Sequence, residues 1–249
     1  MPSVLITGCS SGFGLEATKL FLDRGWKVIA TMRKPSPDIL PASDNLVLLP
    51  LDVTDPASIA STMEKAGEID MLVNNAGIGA AVPIELIDPE TARQLFETNT
   101  LGTLAMLQAV LPGFRERRSG VIVNVTSTVT LKPLPLVSVY RASKAAVNAL
   151  TESLAVEMEP FGVRVHIVLP GRSPETRFGD NAVPHMRGLD NPDYKPLIEN
   201  MIASFREESG PVTHAGDVAE AIWQAATDKN APLRIPAGAD AVQWMAEAA

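Results

Sequence analysis

Tyr140 and Lys144 stand four residues apart in "SVYRASKAAVNAL", residues 138–150, a stretch that otherwise reads as a helix of small side chains. Residues four apart on a helix are stacked neighbours. The pair is either a solvated surface contact or a phenol held beside an ammonium group so that it can exchange a proton. A free phenol has a pKa near ~10, and a close cation favours its phenolate. Bringing that pKa towards neutrality takes about 3–4 kcal/mol of differential interaction. One close charge at intermediate effective dielectric supplies about that much. Ser127 follows the apolar run "VIVNV", so its hydroxyl emerges at the C-terminal edge of a strand. The chemistry open to these three is carbonyl reduction or its reverse. Tyr140 is the candidate general acid or base, Ser127 the donor that holds the oxygen, and Lys144 the group that tunes the phenol and binds a nicotinamide ribose. The plain structural alternatives are an incidental helix pair and a strand-end cap.

A candidate hydride source lies at the start of the chain. "VLITGCSSGFGLEATKLFL" places Gly8, Gly12 and Gly14 between a strand and a helix. Glycines permit the turn and the close approach, and the helix start offers free N–H groups to a phosphate. Gly8, Ser10, Ser11, Gly12, Phe13 and Gly14 are therefore the candidate dinucleotide-binding turn. Gly8, Ser10 and Gly12 also satisfy the hydrolase pattern G-x-S-x-G, with Ser10 as nucleophile and His214 as base. That elbow takes an oxyanion N–H from a loop after an earlier strand, and only seven residues precede Gly8.

The second strand ends "VIATMRKPSPD". An acid at this place binds the ribose of NAD, and an arginine takes the 2'-phosphate of NADP. Thr31 and Met32 are not acids, Arg33 and Lys34 follow, and Asp38 lies beyond two prolines. Arg33 can bind a phosphate bidentately, and Ser11 offers a further hydrogen bond. NADP(H) is favoured over NAD(H).

The elements that must position these groups are short β-branched runs alternating with helical patterns. Strands are expected at 3–6, 27–31, 46–51, 71–74, 121–125, 163–169 and 233–236. Helices are expected at 12–23, 58–65, 90–117, 139–159 and 217–227. Apolar runs without alternation suit parallel strands covered on both faces. The order predicts an α/β fold, a Rossmann-type doubly wound parallel sheet of about seven strands with helices on both faces. The 249 residues, 46% hydrophobic and 20% charged, read as a single dinucleotide-binding and catalytic domain over 1–249. Residues 170–196 are irregular, and 171–210 are expected to form a substrate-covering loop and helix.

A net charge of -8 gives no long-range positive field for nucleic acid. One cysteine, Cys9, excludes an intrachain disulfide framework and fits a reducing compartment. The first residues show no leader, and no stretch approaches ~18 uninterrupted apolar residues. A cytoplasmic protein with no membrane partner is expected. His185 and His214 lack companions at metal spacing, so no metal is expected, and His166 reads as packed in a strand. Leu134, Leu136, Val137, Phe178 and Met186 could wall an apolar pocket for a small to medium hydrophobic substrate.

"TGCSSGFG" from Thr7, "NNAG" at 74–77, Asn99, Ser127, "YRASK" from Tyr140 and "PG" at 170–171 resemble the short-chain dehydrogenases/reductases over essentially the whole chain. "VLITGCSSGFG" with "VIATMR" is most similar to the branch of 17β-hydroxysteroid and retinol dehydrogenases. The resemblance implies that Asp52 and Val53 contact the adenine and that Asn75, Ala76 and Gly77 line the cofactor. It implies that Asn99 completes a catalytic tetrad by binding a proton-relaying water, and that Pro170 and Gly171 pass near the nicotinamide. It also implies a homodimer or homotetramer built on helices around 103–117 and 139–159. One departure stands out. The family often has a threonine four residues after the "PG" glycine, where it reaches the carboxamide. Here that place is Glu175, with Thr176 one further on, and the role is not carried over. The alternative to an oxidoreductase is a redox-inactive dinucleotide-binding regulator on the same fold.

Overall fold

Seven parallel strands form one sheet. They are β1 (Ser3–Thr7), β2 (Lys27–Met32), β3 (Leu46–Pro50), β4 (Met71–Asn74), β5 (Gly120–Val125), β6 (Val163–Pro170) and β7 (Arg234–Ala237). Their spatial order is β3-β2-β1-β4-β5-β6-β7, so the chain reverses direction across the sheet between β1 and β4. That reversal opens a crevice at the carboxyl ends of the strands, where ligands bind in such folds. The structure is a computed structural model and describes residues 1–185, 190–206 and 210–248.

Alternation along each strand splits the core into two layers. Val4 and Ile6 of β1 face one way, packing with Phe21, Val218 and Ile222. Leu5 faces the other way, packing with Leu72, Met106, Phe114 and Leu154. The helices are α1 (Gly12–Asp23), α2 (Pro56–Ala66), α3 (Pro89–Phe96), α4 (Gly102–Arg117), α5 (Ser138–Met158), α6 (Phe178–Ala182), α7 (Lys195–Arg206), α8 (Ala215–Thr227) and α9 (Ala239–Glu247); α1 and α8 supply the first layer and α2, α4 and α5 the second. Their starts follow local chemistry. Asp55 and Asp88 accept the Ala57 and Glu90 N–H groups at 2.9 and 3.2 Å, each followed by proline at the first helical position. Ser11 precedes α1 but makes no side-chain cap. The first-turn amides of α1 are thus left without a capping side chain.

All seven expected strands form, each end within one residue of its expected place. Residues 90–117 are not one helix. Glu97–Leu101 is a π-helical turn between α3 and α4. α9 has no counterpart in the expected elements, and the irregular segment 170–196 carries the short helix α6 and the start of α7. Met186 and the side chain of Phe178 lie outside the described residues. Among the described residues, no helix is long and apolar enough to cross a membrane.

His166 is buried in β6, as its strand context implies. Its Nδ1 lies 2.9 Å from the Pro232 carbonyl oxygen, and Nε2 is buried without a hydrogen-bond partner. Burial pushes its pKa below the ordinary value of 6.5. The folded state therefore favours the neutral ring, and stability falls as the pH drops through the unfolded value. Urea midpoints measured from pH 7 downward should fall more steeply for the natural protein than for His166→Gln, starting near pH ~6.5. Parallel curves for the two proteins would remove His166 as an acid-sensitive group.

Candidate active site

The carboxyl end of β5 and the first turns of α5 bring together the three residues whose chemistry opened the sequence. Ser127, two residues past β5, shares a hydrogen bond with the Tyr140 phenol. The Ser127 Oγ also accepts the Val129 N–H at 3.3 Å, which caps the short turn after the strand. Lys144, one helical turn beyond Tyr140, donates from Nζ to the Val125 carbonyl oxygen at 3.0 Å. All three side chains belong to buried residues.

Burial dominates the electrostatics. It pushes the Tyr140 pKa well above its ordinary 10, and the Ser127 hydrogen bond pulls it back only in part. Burial also lowers the Lys144 pKa to about 8. Helix spacing predicts that the ammonium brings the phenol down. Loss of water acts in the opposite direction and is the largest influence on the phenol.

The π turn explains the position of Asn99. One extra residue per turn widens the helix locally and aims the Asn99 side chain back at the loop after β4. Asn99 Oδ1 accepts the Ile78 N–H at 2.9 Å, and Nδ2 donates to the Ile78 carbonyl at 2.9 Å and to Ser143 Oγ at 3.0 Å. Thr100 Oγ1 donates to the Ser143 carbonyl at 3.0 Å. A Cβ on Gly77 would lie 3.0 Å from Asn99 Oδ1 and 3.2 Å from Lys144 Nζ. Gly77, Asn99 and Lys144 therefore meet at one point.

Across the crevice, the glycine turn and "NNAG" are stitched together. Thr7 Oγ1 accepts the Asn75 and Ala76 N–H groups at 3.0 and 2.9 Å. Asn75 Nδ2 donates to the Thr7 and Gly8 carbonyls at 2.9 and 3.1 Å. Gly8 has φ +75, and a Cβ there would lie 2.9 Å from Ala76 Cα. A Cβ on Gly14 would collide with the Gly8 carbonyl. Thr7 was missed as a site residue, although it heads the glycine motif. Ser10 is exposed, while Ser11 and Phe13 are half-buried. The N-terminal end of α1 faces a cleft of about 310 Å³ lined by Gly12, Glu16, Glu175, Thr176, Ala215 and Gly216. Uncapped amides beside an open cleft fit an anionic pyrophosphate. His214 pairs with Glu175, and no hydrogen bond joins it to Ser10 among the described residues.

Arg33 lies close enough to Asp52 to lower its carboxyl pKa, after the larger effect of the Thr54 N–H and hydroxyl. Arg33 is exposed and makes no hydrogen bond or ion pair among the described residues. Val53 is buried against Gly102 as part of the core. Pro170 ends β6. Gly171 lies so close to the Asp240 carboxylate that a Cβ would overlap it. Asp240, also missed by sequence reasoning, is buried and accepts the Arg172 N–H at 2.6 Å and the Thr213 hydroxyl at 2.7 Å.

A seven-stranded parallel sheet with an anion-ready glycine turn at its reversal point, beside a buried serine–tyrosine–lysine set, defines a dinucleotide-dependent enzyme. Residues 2–185 match the family model for short chain dehydrogenases, and the chain belongs to that family. It is an NAD(P)-dependent dehydrogenase/reductase. It is 34% identical over 240 residues to 3-ketodihydrosphingosine reductase of Bacteroides thetaiotaomicron, covering 94% of this chain and 87% of that protein. It is 38% identical over 180 residues to human retinol dehydrogenase 8, covering 68% of this chain and 58% of that protein. Among solved structures, serine dehydrogenase complexed with NADP+ superposes with a TM-score of 0.82 at 29% identity, covering 96% of this chain and 95% of that one. The retinol dehydrogenase match agrees with the branch named from "VLITGCSSGFG" and "VIATMR".

Asn99→Ala should test how firmly the π turn holds the site. It removes the partners of the half-buried Ile78 N–H and carbonyl, each worth about 1–3 kcal/mol when unsatisfied, while the Ser143 hydroxyl keeps its bond to the Tyr140 carbonyl. Thermal unfolding should show a loss of at least about 1 kcal/mol. An unchanged midpoint would show that water replaces the amide at no cost.

Proposed function

We propose that the protein is an NADP(H)-dependent oxidoreductase that interconverts a carbonyl and a secondary alcohol on an apolar substrate, with Tyr140 as general acid and base. The buried, hydrogen-bonded Ser127–Tyr140 pair with Lys144 beside it carries this proposal.

The bound cofactor supplies or accepts the hydride. The α1 amides, with Gly8, Ser10, Ser11, Gly12, Phe13 and Gly14, hold its pyrophosphate, and Arg33 binds the 2'-phosphate. Asp52 and the Val53 backbone flank the adenine. Asn75, Ala76, Gly77, Pro170 and Gly171 line the path to the nicotinamide, and Tyr140 and Lys144 bind its ribose. Ser127 donates its hydroxyl hydrogen to the substrate oxygen and fixes its place. Tyr140 gives that oxygen a proton. Burial favours the protonated phenol that a proton donor needs, so the reductive direction suits the free protein. Lys144 shares the same dry pocket and favours the phenolate left behind. Asn99 uses both Nδ2 hydrogens and one Oδ1 acceptor position to hold the π turn against Ser143 and the loop after β4, and it completes the tetrad by binding a water that relays protons from Lys144.

The apolar substrate class rests on what surrounds the phenol. Leu134, Leu136 and Val137 cluster with Tyr140, Leu95 and, from α7, Ile198 and Met201. The described parts of 171–210, with α7 among them, would then cover a substrate lying against that wall, and residues 186–189 and 207–209 of that expected cover lie outside the described residues. Two relatives are named for 3-ketodihydrosphingosine and for retinol, which supports an apolar ligand here. Exposed Leu101 and Val156, 47% and 72% accessible, support self-association through α4 and α5 as a homodimer or homotetramer.

Two variants test this function. Tyr140→Phe should retain NADPH binding and lose about 10²–10⁴-fold in kcat on any ketone the natural protein reduces. Near-normal turnover would end the role given to the phenol. Arg33→Ala should raise KM for NADPH at least about tenfold and leave KM for NADH nearly unchanged, since a charged hydrogen bond is worth about 1.5–3 kcal/mol. Equal changes for both cofactors would show that Arg33 does not read the 2'-phosphate.

A further inference from the structure

Glu175 stands where the family often carries threonine, and the structure shows where its carboxylate goes. Oε1 accepts the Ala215 N–H at 2.6 Å, and Oε2 lies 3.0 Å from His214 Nδ1. His214 begins α8, and its own N–H is taken by Asp217 Oδ2 at 2.8 Å. A residue of the loop after β6 is therefore docked on the N-terminal end of α8. The next residue, Thr176, donates its hydroxyl to the Ser173 carbonyl at 3.0 Å and lies across the glycine turn. A Cβ on Gly12 would lie 3.4 Å from Thr176 Cβ. The root of the same loop is fixed by backbone bonds to buried Thr213 and Asp240. Thr213 N–H donates to the Arg172 carbonyl at 2.8 Å, and Arg172 N–H donates to Asp240.

We propose that Glu175 is a positioning residue that latches the loop after β6 onto α8, holding Thr176 over the glycine turn and slowing escape of a bound dinucleotide. The latch rests on the dinucleotide binding proposed above. It closes one side of the 310 Å³ cleft, to which α1 contributes Gly12 and Glu16, α8 contributes Ala215 and Gly216, and the latched loop contributes Glu175 and Thr176. Its chemistry suits a reversible contact. A carboxylate at a helix N-terminus is favoured by the backbone dipole and by the N–H it accepts. The Ala215 N–H, and then His214, hold the Glu175 pKa below its ordinary value, and Glu175 in turn raises that of His214. The charged groups facing the latch are Glu16 from α1 and His214 and Asp217 from α8. Both partners are exposed, so the latch can open without breaking the core.

The test uses the full chain with Glu175→Gln, which keeps the shape and removes the charge, and Glu175→Ala, which removes the contact. NADPH dissociation, followed by its fluorescence in stopped flow, should speed up about fivefold in Glu175→Gln and more in Glu175→Ala. KM for NADPH should rise while kcat does not fall. In the free protein, hydrogen exchange at amides 172–177 and at Ala215 should accelerate in both variants. Unchanged dissociation and unchanged amide protection would overturn the latch while leaving NADPH binding intact. Failure of the natural protein to bind NADPH would overturn both the latch and the function on which it rests.

Discussion

The position of α5 relative to β5 is the constraint on which the site depends. Lys144 must reach the Val125 carbonyl from one element while Tyr140 meets Ser127 at the end of the other. A fully buried polar chain sets that register. Asn74 Nδ2 donates to Asn124 Oδ1 at 2.9 Å, and Asn124 Nδ2 donates to Thr151 Oγ1 at 2.8 Å. The chain runs from β4 through β5 into α5, two turns beyond Lys144. On the other side, Asn99 and Thr100 grip Ser143. A slip of one helical turn would move Lys144 by about 5.4 Å and strand its amine in the interior. An unpaired buried charge is among the costliest defects a fold can carry. The requirement that satisfies the amine therefore also aligns the phenol.

The same dryness sets the proton chemistry. Water loss raises the phenol pKa and lowers that of the amine, and both shifts favour neutral groups. Low polarizability also makes each remaining hydrogen bond stronger than it is in water. Ser127 opposes burial at Tyr140 by a hydrogen bond that lowers the phenol pKa. The serine would therefore act on both partners of the proposed proton transfer, the phenol and the substrate oxygen it is proposed to hold.

Sequence order and residue type were enough for much of this. Apolar runs without alternation marked β1, β4, β5 and β6, because strands covered on both faces leave no polar side to display. The glycine spacing located the α1 turn, since Gly8 and Gly14 each abut backbone that a side chain would strike. Other features depend on contacts that periodicity does not encode. The π turn at 97–101 adds a single residue to a run of helical character, and only the Ile78 and Ser143 partners of Asn99 reveal why. The direction of the Tyr140 shift was misjudged because helix spacing counts the nearby charge and not the missing water. Asp240 sits in a short alanine-rich tail whose role appears only when α9 packs beside Arg172 and Thr213. Lys132 reaches the same helix, with its ammonium 5.2 Å from the Trp244 ring. α9 thus braces the loops that follow both β5 and β6.

Glu175 raises a further question of charge. The cleft at the glycine turn is lined by Glu16 and Glu175, with Asp217 close by, in a chain whose net charge is -8. Free carboxylates there would repel a phosphate-bearing ligand by about 1 kcal/mol or more at contact distance, even in water-like surroundings. All three are compensated locally, Glu16 by Lys19 Nζ at 2.7 Å. Glu175 faces the positive end of α8 and His214, and Asp217 accepts the His214 N–H in the first turn of the same helix. Their fields are offset by α8 before they reach the α1 amides, which keep their own dipole for the ligand. An acid in place of threonine is tolerable beside the proposed pyrophosphate site because a second helix N-terminus lies within its reach. The loop could not have accepted it without α8 in that position.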